Sequence, residues 1–453
     1  MPNMTDHIAS YSASFKYEDL PPEVLHKAKS HLIDALGCAI GAYTSEPAKI
    51  ARRIAQMVYP CEMPATIIGS GQKSSLDLAT FANGVMIRYL DFNDGFSGEG
   101  GGHPSENFGP CLTCADAIHA SGKDFITASV LAYEIYCGLA DRANLTPTAF
   151  EQTLNGSVSC AMGVSKLLGL SREQMVQAIN LALAPNIALK QTRIGEVSMW
   201  KGCAMSNGAR NAVFAVLLAK EGMTGPGPIF EGRYGLFNAV SGPFELDDLG
   251  GNGNPFRIMN ANVKRYPLGQ IAQTAIDAAL KVRSQISSAD EISQVHVGTY
   301  SRGIGTMAAD AEKWLPKTRE TADHSLPYVV AAALLWGPVE KRHFDDEYLH
   351  SPALLELIGK IKVDVDDEVE KMWPTAYANR VEVVTRSGKK YSELVEHHRG
   401  HNKNPLSNEE FEQKFDSLTR DLLLPAHRKE LLSLLWNLEK VEDVSVIMEL
   451  LKI

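Results

Sequence analysis

Helical spacing of apolar residues dominates the first part of the chain. Each of four stretches places its apolar side chains three or four positions apart, as an amphipathic or buried helix does: 23–43, 75–90, 108–120 and 124–139. Residues 200–222 add a further helical stretch rich in small residues, which let helices pack closely. Alternation of polar and apolar positions, the mark of a half-buried strand, is missing here. We therefore predict an all-helical domain over residues 1–265.

The pattern changes after Pro267. Residues 292–300 alternate like a strand, residues 361–365 read as another, and residues 380–385 and 389–395 flank a Ser-Gly turn in the manner of a hairpin. Helices are interspersed with these strands, which is typical of an α+β domain. Helical spacing returns after Asn404 and continues to Ile453. The predicted fold class is mainly α, with a smaller α+β domain.

Composition and net charge limit the kinds of partner that the protein is expected to bind. The chain has 453 residues, 45% of them hydrophobic, and a net charge of −10, which suits a soluble globular protein and argues against nucleic acid or an acidic membrane as a partner. The N-terminus lacks a signal-peptide pattern, and the most apolar uncharged run, residues 325–339, is too short to span a bilayer. Seven scattered cysteines imply no disulfide framework and predict a cytoplasmic protein, with Cys111 and Cys114 as buried thiols.

One polar loop between two apolar helices carries the densest set of reactive groups. Residues 89–107 read YLDFNDGFSGEGGGHPSEN, with Asp91, Asn93 and Asp94 together, a glycine-rich run, and then His103. Such a loop is costly in backbone entropy, and histidine titrates nearest neutrality. Two interpretations stay open: a functional site, or a solvated interhelical loop with aspartate caps.

Further candidate groups lie outside this loop. Lys201 follows Trp200 at the start of a helix, where a cation opposes the helix dipole and is better suited to binding an anion than to stabilising the helix. Lys264 stands at the predicted domain boundary, where ligand clefts are common. The alternative for Lys201 is an ordinary exposed lysine, and the alternative for Lys264 is a place in a basic linker. Asp323-His324-Ser325 precedes an apolar helix, and an N-cap explains its Asp or Ser.

A metal site is not predicted. Asp91, Asp94 and His103 could converge, but the chain offers no helix-borne histidine pair and no second carboxylate cluster. Three histidines, His397, His398 and His401, fall in a predicted loop beside Arg399, and we expect them at the surface.

Several motifs in the same order resemble the MmgE/PrpD family, which contains 2-methylcitrate dehydratase, cis-aconitate decarboxylase and iminodisuccinate epimerase. They are the D-x-N-D loop with its glycine run and His-Pro-Ser, Met199–Gly202, Lys264–Pro267 and Asp323–Tyr328. The resemblance extends from about residue 5 to about residue 450. It implies a homodimer whose helical domain is discontinuous, formed by residues 1–265 and 400–453, with an α+β domain at 266–399. It also puts Lys264 on the family's lysine, and His324 and Tyr328 beside the active site, one helical turn apart.

This chain departs from the family pattern at three places. Family members carry a histidine near Phe150-Glu151, whereas no histidine lies between His119 and His296 here. A second family histidine follows the lysine motif, where this chain reads LGQI, residues 268–271. Decarboxylase members have a threonine directly after the acidic motif, and this chain has Gly95 at that position.

The candidate groups suit chemistry next to a carboxylate, which requires a base and cations that stabilise the developing charge. In the predicted site, His103, Asp91, Asp94 and Tyr328 act chemically, while Lys201, Lys264, His324 and Asn93 bind a small di- or tricarboxylate. The first hypothesis is a cofactor-independent carbon–oxygen lyase of the 2-methylcitrate dehydratase type. The alternatives are a decarboxylase or epimerase of a related acid, and a non-catalytic binding or scaffold protein.

Overall fold

The fold is mainly helical with one small mixed sheet, which confirms the predicted fold class. A computed structural model describes residues 3–58, 62–145, 147–186, 188–246 and 248–453. Its α-helices are α1 (Met4–Ser14), α2 (Pro22–Gly41), α3 (Glu46–Ala55), α4 (Leu76–Tyr89), α5 (Phe108–Ala117), α6 (Gly122–Arg142), α7 (Thr153–Leu167), α8 (Arg172–Leu183), α9 (Ala204–Lys220), α10 (Gln273–Arg283), α11 (Ser301–Met307), α12 (Arg319–Ala322), α13 (Leu326–Trp336), α14 (Asp346–Leu349), α15 (Pro352–Ile358), α16 (Asp367–Glu370), α17 (Asn408–Thr419), α18 (Pro425–Trp436) and α19 (Ser445–Leu450).

The strands lie where the alternating pattern predicts them, except for one short pair. Strands β1 (Ala65–Thr66) and β2 (Lys73–Ser74) form a two-stranded ladder within the helical part. The larger sheet contains β3 (Ile292–Thr299), β4 (Ile361–Val365), β5 (Asn379–Thr385) and β6 (Lys390–Val395), in the order β4-β3-β5-β6. Strands β3 and β4 are parallel and the other pairs are antiparallel. The β5–β6 hairpin turns at Gly388, whose φ of +82° favours glycine.

Among the described residues, two large hydrophobic cores and a small cluster around Tyr300 organise these elements. One large core is formed by buried side chains between residues 4 and 261 together with side chains between 415 and 451, and the other by side chains between 266 and 395. Helix α17 returns the chain to the first core, where it packs on α2. We keep residues 265 and 400 as proposed domain boundaries, with the C-terminal tail assigned to the helical domain.

Helix α17 also contacts both the acidic loop and the lysine motif through one buried lysine, Lys414. The Lys414 ammonium lies 2.5 Å from an Asp34 carboxylate oxygen and donates to the carbonyl oxygens of Phe92 and Lys264, each at 2.8 Å. Phe92 and Lys264 belong to two of the segments singled out from the sequence. The tail therefore contacts both the acidic loop and the lysine motif.

The prediction that His397, His398 and His401 lie at the surface is wrong for two of them. His398 is 1% exposed and His401 is 5% exposed, because this segment folds against residue 263: the Val263 amide donates to the Gly400 carbonyl at 2.9 Å. Cys111 and Cys114 are buried and free, as predicted. Within the described ranges, no helix combines the length and the apolar character needed to cross a membrane.

Candidate active site

Asp91 is the centre of the candidate site. Helix α4 ends at Tyr89, and the Asp91 amide closes a turn by donating to the Arg88 carbonyl at 3.0 Å. Asp91 adopts a left-handed backbone conformation, with φ of +50°, and its side chain is fully buried. Left-handed backbone at a residue other than glycine costs about 1–3 kcal/mol and is concentrated at functional sites. The strained backbone and the buried carboxylate together mark Asp91 as a candidate functional residue.

Three cations surround the Asp91 carboxylate. The Lys264 ammonium lies 2.7 Å from Oδ1 and also donates to the Asp91 carbonyl at 3.0 Å. The Lys201 ammonium lies 3.6 Å from Oδ2, and the Arg88 guanidinium donates to Oδ1. Burial would raise the pKa of Asp91, but these three cations outweigh it and hold that pKa well below its usual range. Burial lowers the pKa of Lys264 to about 8, against the attraction of Asp91.

A second buried carboxylate comes from the α+β part. Asp323 Oδ1 lies 2.5 Å from the Lys201 ammonium and 2.6 Å from His324 Nδ1. Burial, aided by the charge of Lys201, lowers the pKa of His324 to about 4, so the ring is neutral at pH 7. Lys201 thereby links the helical part, which carries Asp91, to the α+β part, which carries Asp323.

The same groups have the ligand spacing of a cation site, but a lysine stands among them. Ligand atoms of Asp91, Asp323 and His324 lie within 4.8 Å of one another. The Lys201 ammonium is 2.5 Å from Asp323 Oδ1, 3.0 Å from His324 Nδ1 and 3.6 Å from Asp91 Oδ2. A tethered ammonium thus already supplies positive charge to all three ligand atoms.

His103 lies on the other side of the Arg88 guanidinium. Its Nδ1 is 2.6 Å from the Asp94 carbonyl oxygen, a contact in which Nδ1–H donates, and its Nε2 is 3.0 Å from an Arg88 nitrogen and accepts. Burial and the charge of Arg88 hold the pKa of His103 well below its usual range, which leaves a neutral ring. The His103 and His324 side chains are 11% and 12% exposed, more than the charged groups between them.

The side chains of Asp94 and Asn93 hold the loop in place. The Asp94 carboxylate accepts from His31 Nδ1 at 3.0 Å, from the Tyr133 hydroxyl at 2.9 Å and from the Ser105 amide at 3.0 Å. Asn93 donates its amide to the Ser105 hydroxyl at 3.0 Å. Asp94 also contacts the His103 ring, through its backbone carbonyl and not through its carboxylate.

Tyr328 and His324 point to different surroundings. The Tyr328 hydroxyl donates to the His343 carbonyl oxygen at 2.5 Å, and its ring stacks on Phe344 in the second core. The expectation that one helical turn aligns the two side chains fails because α13 begins at Leu326, with Ser325 as its N-cap, so His324 lies outside the helix. The N-cap role suggested for this segment thus belongs to Ser325.

Two residues of the site, Arg88 and Glu106, are not among those predicted from the sequence. Arg88 is 1% exposed and lies in an otherwise apolar stretch of α4. A charged residue among apolar neighbours is the feature of the sequence that could have identified Arg88 as a site residue. Glu106 follows the His-Pro-Ser motif and is 3% exposed, with Oε2 3.7 Å from Arg88 Nε. A buried charge in an apolar helix indicates a partner, but only the fold shows which one.

Gly95 and Gln270, two of the positions at which this chain departs from the family pattern, lie next to each other in the structure. A Cβ atom on Gly95 would lie 1.8 Å from Gln270 Oε1, so the glutamine side chain fills the space that a side chain at position 95 would need. The Gln270 amide nitrogen is buried and has no hydrogen-bond partner among the described residues. Gly269 leaves room beside His324, whose Nε2 lies 3.5 Å from the Cβ position of that glycine.

Comparison with known proteins matches nearly the whole chain to one family. The model of the MmgE/PrpD N-terminal domain matches residues 6–249, and that of the C-terminal domain matches residues 266–440. Cis-aconitate decarboxylase of Homo sapiens is 26% identical over 470 residues, covering 99% of this chain and 95% of the relative. The 2-methylcitrate dehydratase of Cupriavidus necator is 27% identical over 412 residues, covering 83% and 81%. That of Escherichia coli (strain K12) is 26% identical over 426 residues, covering 87% and 84%. The chain belongs to the MmgE/PrpD family.

Proposed function

We propose that the protein is a cofactor-independent lyase acting next to a carboxylate of a small di- or tricarboxylic acid, and that it removes water, as a 2-methylcitrate dehydratase does. The observation that carries this proposal is the convergence of two lysine ammonium groups on Asp91, with neutral histidines at the more exposed edge. The dehydratase relatives, which span more than four fifths of the chain, support the choice of reaction.

Local charge in the site favours an anionic substrate, although the chain has a net charge of −10. Arg88, Lys201 and Lys264 bring three positive charges against the two carboxylates Asp91 and Asp323. Both lysines contact the same Asp91 carboxylate, so one small acid can reach both of them. Lysine ammonium groups rotate freely and bind carboxylates in varied orientations.

His103 is the proposed base. Because Nδ1–H donates to the Asp94 carbonyl, the unprotonated nitrogen is Nε2, which faces Arg88. A bound polycarboxylate adds negative charge beside this ring and competes for Arg88, and both effects raise the pKa of His103 toward the value a base needs. Nε2 then removes a proton from the carbon next to a substrate carboxylate, while Lys201 and Lys264 stabilise the enediolate charge. Asp91 and Asp94 hold these groups in place.

Decarboxylation is the alternative that a specific observation favours. The human cis-aconitate decarboxylase relative aligns with 99% of this chain. The same cations would stabilise the carbanion left by departing carbon dioxide, and epimerisation would require only removal and return of a proton. These reactions use the same binding groups and differ in what leaves the substrate.

A turnover assay with mass detection tests the proposal. Purified protein is incubated with citrate, 2-methylcitrate, cis-aconitate and malate, with and without EDTA. Loss of one water from a hydroxy acid is expected, and EDTA should not reduce the rate because Lys201 already supplies positive charge at the only ligand cluster found within the described ranges. Loss of carbon dioxide supports the alternative. Binding without turnover of any acid would indicate the non-catalytic homologue.

A further inference from the structure

Glu106 is a buried carboxyl group for which the described residues offer no hydrogen-bond partner. It lies in a short 3₁₀ turn, Pro104–Asn107, that begins directly after His103, and it is 3% exposed. Neither of its carboxyl oxygens accepts a hydrogen bond from any residue that the structure describes. Its closest cation is Arg88, whose Nε lies 3.7 Å from Oε2, too far for a direct hydrogen bond. An unpartnered carboxyl in such a place costs stability, so a structural ion pair does not explain it.

Arg88 connects Glu106 to the rest of the site. One guanidinium donates to Asp91, lies 3.0 Å from His103 Nε2 and has its remaining nitrogen toward Glu106. The other ionisable groups that influence Glu106 are already paired: Glu151 binds Arg193 at 2.8 Å, and Asp94 binds His31. The Tyr136 hydroxyl accepts from the His103 amide at 3.3 Å, and Cys160 lies 3.3 Å from an Asn107 oxygen. As far as the described residues show, Glu106 is thus an acid beside the proposed base whose oxygens accept no hydrogen bond.

We propose that Glu106 is the general acid of the dehydration, which donates its proton to the departing hydroxyl group. The proposal rests on the proposed function. His103 takes the proton from the carbon next to the carboxylate, and the electron pair of that C–H bond forms the new C=C bond. The C–O bond breaks with its electron pair on oxygen, which receives the Glu106 proton and leaves as water. Glu106 remains as a carboxylate beside Arg88, and proton exchange with solvent restores both residues.

Protonation states support this division of roles. Burial raises the pKa of Glu106 to about 8, against the attraction of Arg88, so the carboxyl carries its proton at pH 7. His103 is neutral at that pH and has no proton on Nε2 to give. An acid that must be protonated and a base that must be neutral therefore coexist within reach of one guanidinium.

The decisive experiment compares two leaving groups in the Glu106→Gln variant. The substrates are the hydroxy acid that the wild-type protein dehydrates and its analogue with fluorine in place of that hydroxyl, because fluoride leaves as an anion without a proton. We expect dehydration to fall by about 10²–10⁴-fold, as for loss of a general acid, while fluoride release stays close to the wild-type rate. Glu134→Gln is the matched control: it removes another buried glutamate that pairs with an arginine, Arg257, and should retain wild-type turnover per folded molecule.

A second measurement does not depend on turnover. Because the folded-state pKa of Glu106 lies above its ordinary value of 4.5, the stabilisation from its proton is complete below about pH 4.5 and is lost as pH rises through about 8. The stability of the wild type relative to Glu106→Gln, followed by thermal unfolding, should therefore fall between about pH 5 and pH 8. A difference that does not change with pH would show an ionised Glu106 and overturn the assignment.

The outcomes separate the two proposals. Loss of both dehydration and fluoride release in Glu106→Gln would indicate a structural role for Glu106. Unchanged dehydration would show that Glu106 is not needed. Either result overturns the assignment of the general acid but leaves the proposed function standing. A wild-type protein that dehydrates no hydroxy acid overturns the proposed function and, with it, the role of Glu106. If Glu106→Gln loses dehydration but retains fluoride release, the result supports both the proposed function and the role of Glu106.

Discussion

At the residue scale, the site is a set of buried charges in contact with one another, with more cations than carboxylates. Asp91, Arg88, Lys201 and Lys264 are each at most 3% exposed. Burying charges is expensive, and replacing a buried ion pair by apolar residues is often neutral or stabilising, so such a cluster indicates a function rather than a gain in stability. The strained backbone of Asp91 points the same way.

Replacement of His103 tests the proposed base. His103→Ala should lower kcat by about 10²–10⁴-fold, the usual contribution of a general acid–base group. The fold should survive, because the ring makes polar contacts at the edge of the site rather than packing in a core. His296→Ala, on the exposed side of β3, is the control and should keep full activity. Wild-type turnover in His103→Ala would contradict the assignment.

Replacement of each site lysine tests substrate binding. Lys201→Met and Lys264→Met should each lower kcat/KM by about 1.5–3 kcal/mol, the range for hydrogen bonds to charged groups, which is about a 10- to 150-fold loss. The matched control is Lys362→Met in β4, where the side chain is 75% exposed, and it should change nothing. Circular dichroism checks the fold of each variant. Unchanged kcat/KM in both site variants would exclude the lysines as substrate ligands.

At the element scale, backbone hydrogen bonds hold the glycine-rich loop at both of its ends. The Gly95 amide and carbonyl pair with Asn262 at 2.7 and 2.8 Å, and the Phe96 amide donates to the Gly102 carbonyl at 2.8 Å. The pairing with Asn262 brings the loop next to the segment that carries Lys264. The loop is therefore an ordered part of the site, although its composition is that of a flexible linker.

Contact between Gly95 and Gln270 predicts a coupled pair of substitutions. Gly95→Ala alone should lower stability by about 0.5–1.5 kcal/mol, the cost of forcing a side chain off its preferred rotamer, because the new methyl group displaces the end of the Gln270 side chain. Adding Gln270→Ala should recover much of that loss, so that the two changes are not additive. Thermal unfolding and kcat/KM of both single variants and the double variant measure the coupling. Additive effects would contradict it.

At the scale of the whole molecule, the site needs both parts of the chain. Asp91, His103 and Lys201 come from the helical part, whereas Asp323 and His324 lie directly before α13 of the α+β part. Polar contacts join these parts nearby: the Val197 amide donates to the Thr321 hydroxyl at 3.1 Å, and Arg319 donates to the Leu90 carbonyl at 3.4 Å. Relative movement of the two parts would therefore open or close the site.

Assembly is a prediction at the same scale. The MmgE/PrpD resemblance implies a homodimer, so light scattering should give about twice the chain mass of 49.4 kDa. The measurement is made over a range of protein concentrations that includes the one used in the turnover assay. A single species with the mass of one chain at every concentration would contradict the prediction.

The sequence by itself determined the features that depend on neighbours along the chain. Helical spacing identified helices such as α2 and α6, and alternation identified β3 and the β5–β6 hairpin, because both patterns reflect which side chains of a single element face the core. The acidic loop was recognisable for a similar reason: charged and glycine residues between two apolar helices are a local anomaly.

Tertiary structure alone decided which groups meet. Lys264 reaches Asp91 from 173 positions away, and Lys201 reaches Asp323 from 122, so no local pattern could pair them. The same applies to His398, which is buried only because residue 263 packs against its segment. Protonation follows from this assembly as well. Burial raises the pKa of Glu106 against the opposing effect of Arg88, whereas burial and the Arg88 charge together lower the pKa of His103. Both environments depend on the fold rather than on residue type.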